Sequence, residues 1–358
     1  MLIVHNPDHA RHAGRHEMFR GRLVPCHEVP QRLDHVLAEL ARRGFGPRLT
    51  PAELHGGTDA AFEDVLQRIH APRYLRFLAQ AWDEWLALDP TNAGLDALPS
   101  VWPVRGFRAD VEPENFAARL GLYSFDAGTP LTAGSWVAAR TGAQGAVLAA
   151  RAVAQGREPA AFALSRPPGH HAGADFFGGY CFLNNAALAA QTLRDHGAAL
   201  VAVLDIDYHH GNGTQSIFYE RADVLTISIH GDPRTEYPFY LGHADERGAL
   251  AGEGFNLNLP LPRGTGFARW HEALRQAIAA VRAFGAQALV VPLGVDTFEG
   301  DPISGFTLGS DDYLRIGASL ATLALPTVFV FEGGYAVAEV GVNAVNVLEG
   351  FEAARSGR

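Results

Sequence analysis

Leu200-Val201-Ala202-Val203-Leu204-Asp205-Ile206-Asp207-Tyr208-His209-His210-Gly211-Asn212-Gly213 decides how this chain is read. Residues 200–206 form a run of strand length with a single charge, as expected of a strand buried on both faces. Where the run stops, a carboxylate, two histidines and two glycines follow at once. Other runs of the same kind lie at 161–164, 224–229, 289–293 and 327–331. Between and after them, amphipathic stretches predict helices near 184–197, 268–284, 310–324 and 338–350. Apolar strands alternating with helices predict an α/β fold with a central, mainly parallel sheet flanked by helices on both faces.

The N-terminal part is less regular. Residues 1–5 read as a strand, 33–45 as a helix, 58–88 as a helix interrupted at Pro72, and 135–155 as a further helix. Residues 89–133 are rich in Pro, Gly and Asp, with isolated Trp102, Phe107, Phe116 and Tyr123. A loop this long is expected to be functional or interfacial. The last residues, 353–358, are expected to fray. With 358 residues and 47% hydrophobic content, a single domain over 1–358 is expected, with 89–133 inserted in it.

Composition narrows the function. The net charge of −10 and the lack of any basic tract argue against nucleic-acid binding. All 29 basic residues are arginine, which excludes a lysine Schiff base and a Walker A lysine. Two cysteines, Cys26 and Cys181, make no disulfide framework and fit a reducing cytoplasm. Cys181, in an apolar run, reads as a buried structural thiol. The N-terminus is no signal peptide, and no uncharged apolar span is long enough for a membrane helix.

In parallel α/β folds, ligands lie beyond the carboxyl ends of the strands. Here four strand ends carry chemistry: Arg166-Pro167-Pro168-Gly169-His170-His171, Asp207 to Gly213, Gly294-Val295-Asp296, and Glu332-Gly333-Gly334-Tyr335. Asp207 and His209, two apart in extended chain, point the same way and can share an ion, with Asp296 as third ligand. Two carboxylates and one imidazole with open positions describe a catalytic site for Zn²⁺, or for Fe²⁺ or Co²⁺. An isolated Asp-x-His is usually a polar strand end. Convergence of four strand ends favours the metal. His5, His9, His12, His16 and His27 show no partner pattern. His210 reads as structural, and His230 and His243 as bordering the mouth of the site.

The segments RPPGHHAG (166–173), GGYCFLNNAA (178–187), DIDYHHGNGTQ (205–215), SIHGD (228–232), GVDTFEGDP (294–302) and EGGY (332–335) resemble the histone deacetylase and acetylpolyamine amidohydrolase superfamily. So do GRLVPCHEVPQR (21–32), WPVRGFR (102–108) and HGDPRTEYPFYLGHADERG (230–248), closest to its acetylpolyamine branch. The resemblance implies an arginase/deacetylase-like open fold and a zinc-dependent amidohydrolase. It implies Asp207, His209 and Asp296 as metal ligands, and His171 as general base and then acid. His170 would be its electrostatic neighbour, with Asp205 behind it, and Tyr335 would polarise the amide carbonyl. Asn212 stands where other branches carry a second Asp. A structural K⁺ is implied at Asp205, Asp207, His209, Ser228 and Ile229. Gly179, Tyr180, Tyr237 and Gly333 fall at substrate-binding positions; Tyr237 replaces a frequent Phe. The 89–133 segment resembles an insertion that constricts the entrance and builds a homodimer. Its acids Asp110, Glu112, Glu114 and Asp126 either meet a distal ammonium or form a solvated surface.

The leading expectation is hydrolysis of the acetyl amide of acetylated polyamines, by a cytoplasmic enzyme that takes a small cationic substrate. A protein lysine deacetylase or another small-acylamide hydrolase shares the same chemistry. A non-catalytic acyl-amine sensor would have lost a ligand, the base or the tyrosine, and none is lost. An arginase-like di-metal ureohydrolase would need more aspartates and histidines.

Overall fold

The computed structural model describes residues 1–54, 59–104 and 106–357. Residue 58 of the helix expected over 58–88, Arg105 of the 102–108 segment and the terminal Arg358 lie outside them. In chain order the strands are β1 (Leu2–His5), β2 (His16–Phe19), β3 (Arg22–Pro25), β4 (Arg48–Leu49), β5 (Ala160–Leu164), β6 (Val201–Asp205), β7 (Val224–Gly231), β8 (Asn256–Leu261), β9 (Ala288–Leu293) and β10 (Thr327–Phe331). The helices are α1 (Gln31–Arg42), α2 (Asp59–Ile69), α3 (Pro72–Leu88), α4 (Phe116–Leu122), α5 (Ser135–Ala154), α6 (Asn185–Asp195), α7 (Asn212–Phe218), α8 (Phe267–Phe284), α9 (Ser310–Ala321) and α10 (Val340–Arg355).

Eight strands form one sheet in the order β4-β1-β5-β10-β9-β6-β7-β8. Every pairing in it is parallel. Strand side chains alternate between two apolar cores. Val4, Ala161, Ala163, Val203, Val290 and Val330 pack on one face beneath α2, α3, α5 and α6. Ile3, Phe162, Leu204, Leu289, Val291 and Phe331 pack on the other beneath α1, α8, α9 and α10. The four neighbouring strands β5, β10, β9 and β6 are those whose ends carry the chemical residues. Adjacency therefore gathers segments from residues 166 to 335 along one edge of the sheet.

The chain departs from its sequence reading in several places. The break at Pro72 is a change of helix: α2 ends at Ile69, and α3 begins with Pro72 in its first turn, where a missing N–H costs nothing. Strand β8 was not expected, because Asn256 and Asn258 interrupt its apolar run. Both are buried and hydrogen bond to Gln215. The β2–β3 hairpin, the two-residue β4 and helix α7 were also not expected. Ala353 to Arg355 are not frayed; they complete α10, held by buried Phe351. Within 89–133, Phe116 and Tyr123 are core residues of and beside α4, packed on Phe77, while Phe107 is 68% exposed. No described helix is long and apolar enough to cross a membrane.

Helices α9 and α10 approach closely at Gly317, where an added Cβ would lie 1.9 Å from the Val347 carbonyl oxygen. Backbone cannot yield as a flexible side chain can. Gly317→Ala is expected to destabilise the fold by roughly 1–3 kcal/mol. The measurement is urea unfolding of the variant beside the parent; an unchanged midpoint would contradict this packing.

Candidate active site

Each chemical residue is aimed by the strand it follows. After β6, the chain turns so that the Asp207 amide donates to Asp205 Oδ1 (3.0 Å) and the His209 amide to Asp207 Oδ1 (2.9 Å). After β9, Asp296 Oδ1 accepts the Tyr208 amide at 2.7 Å, tying two strand ends together. After β10, the Gly333 amide donates to Asp207 Oδ2 at 2.8 Å. A Cβ on Gly333 would lie 2.6 Å from both Asp207 Oδ2 and Asp296 Oδ2, so only glycine fits there.

Asp207, His209 and Asp296 each present one donor atom, all within 4.8 Å of one another and all buried. His209 Nδ1 lies 2.9 Å from Asp296 Oδ2 and 3.5 Å from Asp207 Oδ1. Burial, and next the Asp207 charge, push the Asp296 carboxyl up to about 7. Burial opposes ionisation of Asp207 too, but the positive charges of His170 and His209 hold its pKa below the usual carboxylate range. Two desolvated carboxylates and an imidazole facing one point fit a divalent cation, whose charge offsets what burial costs them.

The tandem histidines after β5 are held differently from one another. His170 Nδ1 meets Asp205 Oδ2 at 2.9 Å. Burial lowers its pKa, but the Asp207 and Asp205 carboxylates outweigh that and raise it to about 10. His171 Nδ1 meets Asn212 Oδ1 at 2.6 Å. Burial, followed by the charges of His170 and His209, takes His171 well below the usual histidine range. The amide oxygen only accepts, so Nδ1 carries the proton and Nε2 keeps its lone pair. Glu332 secures this turn from β10, its Oε2 accepting the Gly169 and His170 amides at 2.6 and 3.1 Å. Burial raises the Glu332 carboxyl to about 8. Cys181 is buried beside it, as expected of a structural thiol, and completes a second convergence with His170.

A cavity of about 880 Å³ opens onto these groups, lined by His171, His209, Tyr335, Gly179, Tyr180 and Tyr237 among others. Burial raises the Tyr335 phenol well above its ordinary value, so it stays a proton donor. The Tyr180 ring packs 5.5 Å from the Tyr335 ring, and its hydroxyl donates to Glu17 at 3.0 Å. The Tyr237 ring lies 5.1 Å from His171, and its hydroxyl donates to Asp126 Oδ2 at 2.6 Å. The hydroxyl that distinguishes Tyr237 from phenylalanine thus ties the wall to an acid of the 89–133 segment.

Of Asp110, Glu112, Glu114 and Asp126 in that segment, Asp126 alone lines the cavity. Asp110 is exposed and paired with Arg108; Glu112 and Glu114 are exposed and do not line it. Two further carboxylates line the cavity, both missed by sequence reasoning: Glu17 of β2, and Glu236, which is paired with Arg263. Glu17 sits on a short hairpin without a periodic signal, and its partner His27, 2.7 Å away, lies just beyond that hairpin. Two more N-terminal histidines have partners: His12 Nδ1 meets Ser135 Oγ at 2.9 Å, and His9 lies 3.4 Å from Asp34. His210 is buried against His230, with ring centroids 4.5 Å apart. His230 and His243 do not line the cavity. His230 is buried between Ser228 and the Gly242 carbonyl, and the His243 carbonyl accepts from Asn258.

Comparison with known proteins follows the same lines. The histone deacetylase domain model matches residues 26–351. The chain is 52% identical over 352 residues to acetylpolyamine amidohydrolase 2 of Pseudomonas aeruginosa, covering 98% of this chain and 99% of that protein. It is 45% identical over 350 residues to the acetylpolyamine amidohydrolase of Mycoplana ramosa, covering 98% and 99%. The crystal structure of acetylpolyamine aminohydrolase from Burkholderia pseudomallei superimposes with a TM-score of 0.90 at 40% identity, covering 99% of both chains.

Asn212→Asp is expected to move the acidic limb of the kcat/KM profile to higher pH. A carboxylate at Nδ1 stabilises the imidazolium, so His171 would lose its proton at a higher pH and become a free base later. A pH–rate profile of the variant against the parent checks this, and an unmoved limb would contradict it.

Proposed function

Since the chain belongs to the histone deacetylase family, whose domain implies a metal cofactor, we propose that it hydrolyses the acetyl amide of acetylated polyamines, such as acetylputrescine, acetylcadaverine or longer ones, to free amine and acetate. The observation that carries this reading is a single cavity that brings together His171, His209 and Tyr335 and the carboxylates of Glu17 and Asp126. Tyr180 and Tyr237 each touch the reacting groups with the ring and a carboxylate with the hydroxyl. A slender methylene chain running along these rings would place its acetamide at one end and its ammonium near an acid at the other.

Asp207, His209 and Asp296 would hold the metal, with Zn²⁺ the best match to two carboxylates and one imidazole and Fe²⁺ or Co²⁺ the alternatives. The bound metal supplies a Lewis acid that polarises the acetyl carbonyl and acidifies water. His171 Nε2 takes a proton from the attacking water, since Asn212 holds the other ring nitrogen in the donor tautomer. The Tyr335 phenol, kept protonated by burial, donates to the oxygen on which charge develops. His171 then delivers its proton to the leaving amine. His170, charged and paired with Asp205, stabilises negative charge beside it without giving up its proton.

A structural K⁺ would be held by Asp205, Asp207, His209, Ser228 and Ile229; Asp205 and Ser228 are paired in the β6–β7 register. A homodimer would use exposed Val101, Val104, Phe107 and Val111 of the 89–133 segment.

The test is steady-state hydrolysis of acetylputrescine, acetylcadaverine, acetylspermidine, acetylspermine and an acetyllysine peptide by Zn²⁺-loaded protein. Fast turnover of the free acetylamines over the peptide is expected. Tyr335→Phe should cost roughly 10²–10³ in kcat, as for loss of one oxyanion donor. Asp296→Ala should abolish both turnover and stoichiometric metal. Preferential peptide turnover would make the protein a lysine deacetylase. Metal-free activity would overturn the mechanism.

A further inference from the structure

Among the proposed catalytic groups, Tyr335 alone is carried by a diglycine turn. Gly334 before it sits at φ +131, a conformation that side chains resist. Such a turn has little stiffness of its own, so something else must fix where the phenol points. Gly333 is tied by its amide to Asp207 and by its carbonyl to the Val295 amide, and beyond it two residues, Arg32 and Asp301, grip Gly334 and Tyr335. Arg32 Nε donates to the Gly334 carbonyl at 2.6 Å, and the guanidinium lies 4.7 Å from the Tyr335 ring centre. On the backbone of Tyr335 itself, the amide donates to Asp301 Oδ2 at 2.7 Å.

Asp301 is 9% exposed, and its other oxygen, Oδ1, accepts the Ile303 amide at 3.1 Å. Its carboxylate therefore joins two loops: the one after β9, which carries Asp296 and the cavity-lining Ile303, and the one after β10, which carries Tyr335. Asp301 does not line the cavity. A charge buried this far is kept where its hydrogen bonds need it, and here both bonds go to backbone amides.

We propose that Asp301 is a positioning residue for the reaction, holding the Tyr335 amide so that the phenol is already aimed at the developing oxyanion and fixed relative to the Asp296 loop. A preorganised donor stabilises a transition state only if its place is set beforehand. Displacement of about 1 Å by a distant change is enough to cost on the order of 100-fold in rate. The inference rests on Tyr335 being the oxyanion donor.

The experiment is a double-mutant cycle on an acetylated diamine. It compares the parent, Asp301→Ala, Asp301→Asn, Tyr335→Phe and the two double variants, with bound metal and thermal midpoint measured for each. Asp301→Ala is expected to lower kcat by roughly 10- to 100-fold, with KM within about two-fold because uniform binding is untouched. In the Tyr335→Phe background the same change should cost less than about two-fold, the signature of two residues acting as one unit. Asp301→Asn keeps the volume and one acceptor, and should show a smaller loss with the same dependence on Tyr335. It carries the test if the alanine variant does not fold. A full loss that persists in the phenylalanine background, or a loss that tracks missing metal in both Asp301 variants, would overturn the positioning role alone. A Tyr335→Phe enzyme as fast as the parent would overturn the reading of Tyr335 and this inference with it.

Discussion

Burying a carboxylate costs several kcal/mol unless donors or cations surround it, and this chain buries Glu28, Asp205, Asp207, Asp296, Asp301 and Glu332 around the carboxyl ends of its central strands. The rest of the site can be understood as the answer to that constraint. Asp205 is met by His170, Glu332 by the amides of the tandem-histidine turn, and Asp301 by the amides of Ile303 and Tyr335. Glu28 is met by Arg32 and Arg166. Asp207 accepts the His209 and Gly333 amides and Asp296 the Tyr208 amide, yet the two carboxylates still face one another across His209, an arrangement that fits a divalent cation.

The exclusive use of arginine, which the sequence shows only as composition, has a structural use here. Arg32 reaches Glu28, the Gly334 carbonyl and the Glu332 carbonyl with three separate N–H groups. Arg166 reaches Glu28 and the carbonyls of His9 and His12. A lysine, with a point charge on a flexible stem, could not span such sets. Through these two forks the N-terminal segment, which shows no periodic pattern in sequence, supports the backbone that carries Tyr335.

Electrostatics also divides the labour between adjacent histidines of the same type. His170 faces carboxylates that raise its pKa to about 10, whereas His171 is pushed below the usual histidine range by burial and then by the neighbouring His170 charge, with only a neutral amide at its Nδ1. A single turn thereby supplies a fixed positive charge and a base, and part of the difference lies in what β6 and α7 place behind each ring, Asp205 behind His170 and Asn212 behind His171.

The alternation of strands and helices was legible in the sequence, since apolar runs of strand length must be buried on both faces, and so were the strand ends that carry the histidines, carboxylates and tyrosine. Asp207, His209, Asp296, His170, His171 and Tyr335 were legible because they follow strands directly and stand in short, recognisable segments. Glu17, Asp301 and the partners of His12 and His27 were not. Their significance comes from contacts such as Glu17 with Tyr180, 163 positions apart in the chain, or Asp301 with Tyr335. Strand β8 was hidden because its buried asparagines bond to Gln215 on α7 and to residues of the 243–246 segment, not to their own chain neighbours. Local pattern records which residues must be buried. Which polar groups meet in that interior, and so what each can do, was decided only by the order β5-β10-β9-β6 in which the sheet brings distant strand ends side by side.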